Sequence, residues 1–240
     1  ISIAGGALLK FTTSSSQTIT ASTVTGAGGL TWAGSGVLTL GDTRIATGPV
    51  LSIEGGRVSG VVGRFGAGPA ADLVLDGGAL STLDGGGGQD SNSRLFTLGV
   101  NTGTIQIDTL AVPGNTTRST AFTGTGAIAF KGSGPRTLKF ESAIMNVCTF
   151  SPAIGDGPGG ATSLVMGGTP GANGIWAVNG SNTYTGATTI NGGNLCIRRQ
   201  QSVNGGVACF TTNNVTVVSN ACLAVGVGAA PTYFDAAEIA

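Results

Sequence analysis

The chain contains no histidine, and only 9% of its 240 residues are charged, where an ordinary globular protein has roughly 25%. Without an imidazole, neither a Ser-His-Asp nor a Cys-His centre can be assembled from it. The eleven basic and eleven acidic residues cancel, and no like-charge run is longer than Arg198-Arg199. That excludes the concentrated basic face that displaces counterions from nucleic acid, and the arginine pair reads as a solvated turn. Long apolar runs are also missing, since none approaches the ~20 residues that span a bilayer. Ile1 leads into Ser, Ala and Gly, with no basic segment followed by an apolar one, so an exported protein of this sequence would be a processed piece.

Glycine, in contrast, is abundant. There are 44 glycines and 8 prolines, 40% of residues are hydrophobic, and the mean hydropathy is +0.31. Collagen needs glycine at every third position, and that period is absent. Disorder needs low hydrophobicity with net charge, and neither holds. An ordered, turn-rich β protein remains.

Along the chain, short alternating runs recur between glycine pairs. ISI and TIT open it, with a Ser/Thr tract between them. GLTWA and VLTL follow about Gly34 to Gly36, then VLSIEGGRVSGVVGRF at Val50 to Phe65 and DLVLDGGALSTLDGGGG at Asp72 to Gly88. Strands RLFTL, TIQIDTLAV, AIAF, TLKF and one carrying Cys148 come next. Runs of four to six residues bounded by glycine read as strands, and their recurrence reads as an internal repeat. After Cys196 a polar RRQQSVNGG insertion precedes VACF, VTVV and ACLAV. The tail PTYFDAAEIA, residues 231–240, breaks the pattern at Pro231 and suits a helical turn acting as a cap or docking arm.

Gly160 to Ile197 is the most informative stretch. It holds SLVM, IWAV and TTI followed by NLCI, and in NGSNTYTGATT a single ring, Tyr184, sits among Thr, Asn and Gly. That suits a corner where one ring packs while its neighbours hydrogen-bond to adjoining coils. This stretch resembles the autotransporter-associated β-strand repeat, which ends G-x-NTYTG-x-T-x-I/V-x-x-G-x-L. Gly180, Asn182, Thr183, Tyr184, Thr185, Gly186, Thr188, Ile190, Gly193 and Leu195 match it. Segments from Arg94, Gly124 and Ala153 are similar to the spacers before that repeat, and Gly26 to Leu40 is a weaker echo. The resemblance implies an all-β fold, an elongated right-handed parallel β-helix (β-solenoid), in a secreted or surface-displayed bacterial protein, and it brings no catalytic residues. Residues 1–230 would form a single solenoid, with coils of roughly 20 to 25 residues. About ten coils at one strand spacing each would make a rod on the order of 50 Å long.

Of the four cysteines, Cys196, Cys209 and Cys222 are equally spaced. If a coil were two such spacings long, Cys196 and Cys222 would stack at strand separation, about 4.8 Å, within reach of a disulfide. Buried free thiols are the alternative. No CxxC spacing exists for zinc. LDGGGGQD at Leu83 to Asp90 is one copy of a calcium-roll-like run, which a shared ion site needs in several copies, so it reads as a surface turn. The glycines of GAGGLTWAG lack the following helix that a dinucleotide site requires. No metal, cofactor or catalytic group is therefore expected.

Two function classes remain. The first is a non-enzymatic structural module of an extracellular or cell-surface fibre, a homo-oligomer stacking head to tail into filaments. The second is an adhesin passenger segment that binds a host, a neighbouring cell or a surface glycan through an exposed ladder of Thr, Asn and Tyr. A polysaccharide-active β-helix enzyme is a third reading. It is weakened by carboxylates that scatter beside turns rather than clustering.

Overall fold

Alternating side chains leave one face of each short run apolar, and a chain of such runs buries those faces by winding. The computed structural model describes residues 1–41, 43–46, 48–66, 69–83, 89–107, 119–142, 146–167, 174–199 and 214–227. It is an all-β parallel solenoid in which every strand pairs with its counterpart one coil away. Each early coil visits three faces in turn, as in Ser2–Ile3, Leu8–Phe11 and Gln17–Thr18.

The third of these strands begins a long face of nine strands. It continues through Val37–Thr39, Arg57–Val61, Ala79–Leu83, Gly103–Ile107, Arg136–Ser142, Thr162–Met166, Thr188–Ile190 and Val215–Val217. Arg136–Ser142 is the longest, and its alternate residues Arg136, Leu138, Phe140 and Ser142 are buried. The register stacks Leu38, Val58, Leu80, Ile105, Phe140, Met166 and Ile190 into one inward column, and every member is fully buried. Each such side chain contributes about 1.5–3 kcal/mol of burial, and the column is one wall of a core that also holds Trp32, Phe150 and Trp176 from the other faces.

A short face of six strands starts at Leu8–Phe11 and ends at Ala129–Phe130. Beyond that point an isolated bridge, Ala127 with Ala153, carries the stacking on. The remaining face is broken. Ser2–Ile3, Thr23–Gly26 and Arg44–Ile45 form one three-stranded piece. Gln89–Asn92, Ser119–Phe122, Val147–Phe150, Ile175–Val178, Gly193–Ile197 and Ala221–Val225 form a six-stranded one.

Between the two pieces lies a 3-10 turn, Val62–Phe65, where the sequence suggested a strand. The turn bends Val62 and Phe65 into the core and closes on Gly66 at φ +80°, a conformation that favours glycine. A second 3-10 turn, Ala70–Asp72, follows Pro69. RLFTL and AIAF pair only over Thr97–Leu98 and Ala129–Phe130. Most other runs fall where the alternation put them, IWAV and TTI to the residue, but of TIT only Thr18 is in a strand, and of TIQIDTLAV the part beyond Ile107 lies outside the described residues.

Nine rungs stand on the long face, against about ten coils expected. The step per coil runs from 19 residues, Ile175 to Asn194, to 35, Gly103 to Leu138. The extra length lies between Ile107 and Ser119. VACF, most of LDGGGGQD and the 231–240 tail lie outside the described residues.

Candidate functional site

Asn182 to Gly186 forms the corner that takes over when the short face ends. Asn182 is buried, and its Oδ1 accepts from Ile154 N–H of the preceding coil at 2.8 Å. The Ile154 carbonyl in turn accepts from Thr183 N–H at 2.8 Å and Tyr184 N–H at 3.2 Å. Tyr184 has no solvent exposure, and its hydroxyl lies 2.7 Å from Thr188 Oγ1. Gly180 and Gly186 pass so close to the coil below that a Cβ on either would collide with the Pro152 or Thr162 carbonyl. All five residues therefore tie one coil to its neighbour. The exposed ladder that would have included Tyr184 does not, because this ring is wholly internal.

Sequence reasoning passed over Asp156, the hub of this corner. Its Oδ1 accepts from Thr162 N–H at 2.8 Å and Thr185 N–H at 3.0 Å, and its Oδ2 from Thr185 Oγ1 at 2.7 Å. Partial burial works to raise the carboxyl, but these hydrogen bonds and the charge of Arg136 outweigh it and hold the pKa below the usual value. The signal was an aspartate inside a glycine turn, GDGPGG, 29 residues before the threonine it meets.

The three cysteines among the described residues are free: Cys148 buried, Cys196 half-buried, Cys222 exposed. Burial pushes the Cys148 thiol up to about 11, with hydrogen bonds from Thr120 N–H and Ser142 acting against it. Cys196 and Cys222 do lie on adjacent strands, but Cys222 is opposite Asn194 and Cys196 opposite Ala224. The coil advances 28 residues there, Asn194 to Cys222, whereas a stacked pair needs 26. Diagonal neighbours in a sheet stand about 7–8 Å apart, beyond the range up to about 6.8 Å that a disulfide spans. The expected stacked pair is therefore two positions out of register, and no bridge forms.

Arg198 and Arg199 are exposed, as read from the sequence. They also border a cleft of about 480 Å³ shared with Ser151, Asn179 and Gly226. A second cleft of about 480 Å³ opens where the broken face is interrupted, lined by Arg44, Ile45, Ala46, Gly63, Gly66 and Ser91 to Ser93. Among the described residues no group of three or more Cys, Asp or Glu side chains could hold a metal ion, and no helix is long and apolar enough to cross a membrane.

Over 168 residues the chain is 31% identical to a protein described as the adhesin BmaC autotransporter of Brucella suis biovar 1 (strain 1330). The chain is similar to an autotransporter adhesin. That similarity is distant and covers 70% of this chain but 4% of the adhesin, so the chain corresponds to a small part of that relative's length. No model of a known protein family matches the chain. No solved structure matches it either. The β-solenoid is consistent with the passenger region of such a protein.

Proposed function

We propose that this chain is a non-enzymatic segment of a surface-displayed autotransporter passenger, a right-handed solenoid whose coils supply length and stiffness and stack end to end with like coils. The carrying observation is the unbroken inward column of the long face in a chain similar to an autotransporter adhesin. Its outermost described rungs would accept a further coil, whether of a continuing chain or of a second copy. Leu9 and Phe11 are only partly covered, while Leu30 and Trp32, one rung in, are fully buried. Val217 is 43% exposed, while Ile190, its partner one rung in, is fully buried. Such rungs gain apolar burial and strand pairing when another coil covers them. Asp76 and Asp156 each act singly as acceptors for a neighbouring coil, Asp76 for Asn101 and Asp156 for Thr185, which suits a scaffold better than a hydrolase.

Adhesion to a host, a neighbouring cell or a glycan is the second reading, favoured by the adhesin similarity. Immunogold labelling of intact cells with antibody against the purified chain tests display, and absence of surface label overturns it. Electron microscopy of concentrated purified chain tests stacking. Fibres with a subunit-length axial repeat are expected, and isolated rods would reject end-to-end assembly.

A further inference from the structure

Both clefts lie on one edge of the rod. The residue that follows each strand of the broken face stacks on its counterpart in the next coil, giving a column Ser93, Thr123, Ser151, Asn179, Arg198, Gly226. The main chain holds it together: Thr123 N–H donates to Asn92 O, Ser151 N–H to Phe122 O, Asn179 N–H to Phe150 O and Gly226 N–H to Ile197 O. One cleft occupies the Ser151 to Gly226 end of this column, and the other begins at Ser93. From Ser93 to Ser151 is two strand spacings, about 10 Å, bridged by Thr123.

The chemistry of the column is one-sided. Arg198 and Arg199 stand in the first cleft and Arg44 in the second, and no carboxylate is among the described lining residues of either. Asp90, on the strand beside the second cleft, is already engaged in an interaction of its own. Behind Gly66, in the floor of the second cleft, the buried Arg94 guanidinium donates from Nη1 to Phe65 O. Its Nε and Nη2 have no hydrogen-bond partner among the described residues, and its charge is already faced by the Asp72 carboxylate, so the ligand is left to the exposed arginines. A ligand for this edge must therefore carry negative groups for the arginines. It must be long enough to lie along several coils. No aromatic face that could stack a nucleobase is among the described lining residues.

We propose that this edge binds an acidic polysaccharide laid parallel to the rod axis. Arg44, Arg198 and Arg199 pair with its carboxylate or sulfate groups, and Ser93, Thr123 and Ser151 line the track between. This assigns a ligand class to the adhesive reading above and rests on that reading only for its biological use. Binding is measured on the purified chain, so its failure leaves surface display and stacking untouched.

The experiment titrates purified chain with fluorescent polygalacturonate, dextran sulfate, uncharged dextran and a single-stranded oligonucleotide, at two salt concentrations. The expected result is salt-weakened binding of one or both acidic glycans, with none of uncharged dextran. Binding of polygalacturonate alone identifies carboxylate as the recognised group, and binding of dextran sulfate alone identifies sulfate. The double variant R198Q/R199Q should bind about tenfold more weakly, R44Q severalfold more weakly, and K131Q, which removes an exposed charge on another edge, like the parent. All four substitutions are at exposed positions, and unchanged thermal melts establish that the variants fold. No binding of either acidic glycan, equal losses in K131Q and R198Q/R199Q, or equally tight binding of the oligonucleotide would each overturn the proposal.

Discussion

Tyr184 is wholly buried, yet its hydroxyl has a partner in Thr188 Oγ1 at 2.7 Å, so the ring fills the corner at no cost in stranded polar atoms. Tyr184→Phe should cost about 1–2 kcal/mol by stranding a buried hydroxyl, and Tyr184→Ala about 3–5 kcal/mol by opening a cavity. Thermal or denaturant unfolding reads both, and a Tyr184→Phe variant as stable as the parent would show that the hydroxyl does nothing. Asp156 adds a pH dependence at the same corner. Its folded pKa lies below the usual 3.8, so its stabilisation is full above the unfolded value and is lost as pH falls through the lower folded one. Melting temperature between pH 5 and pH 2 should therefore fall more steeply for the parent than for Asp156→Asn. The thiols divide by burial. Cys222 should react with Ellman's reagent in the folded protein, while Cys148, buried and with its thiol pushed up to about 11, should react only on unfolding. Unreduced, unfolded protein should show Cys148, Cys196 and Cys222 all as thiols. Of these residue roles the sequence disclosed the packed ring, because one aromatic in a polar bed has few other uses. Asp156 and the diagonal thiols depend on coil length to the residue, which uneven turns conceal.

At the scale of elements, the strands are set by two simple rules, alternation within a run and close approach between runs. Arg136–Ser142 shows the first, with its buried and half-buried residues alternating along its whole length. Gly186 shows the second, since a side chain there would meet the Thr162 carbonyl beneath it. Gly186→Ala should therefore disturb the hydrogen bond from Gly186 N–H to Thr162 O, 3.0 Å, and speed amide exchange in Thr162–Met166 and Thr188–Ile190. Unchanged exchange in both strands would mean the coils have room to spare. The 3-10 turn Val62–Phe65 escaped notice because VVGRF has the composition of a strand. Only the need to bring Phe65 inward beside Gly66 selects the tighter turn.

For the whole molecule, cohesion comes from nearest-neighbour contacts between coils, so stability should be graded along the axis. Hydrogen exchange should be slowest in Ala79–Leu83, Gly103–Ile107 and Arg136–Ser142, and faster in Ser2–Ile3 and Val215–Val217. Uniform protection from end to end would indicate a single cooperative unit instead. Addition of a covering coil, by assembly or by further chain, should slow exchange at the outer rungs first.

Composition and alternation alone determined that this chain is an ordered, turn-rich β protein with no histidine-based chemistry. Such properties depend on which residues are present and on their spacing within a few positions. The repeat-like pattern around Tyr184 added the winding of those strands into coils. The tertiary structure alone decided what lies above what: Asp156 beneath Thr185, Cys196 opposite Ala224, and an arginine-bearing edge assembled from residues up to 182 positions apart, Arg44 to Gly226. Stacking order in a solenoid is the running sum of its coil lengths. A single extra residue in any turn shifts every later register, and no local pattern records that sum.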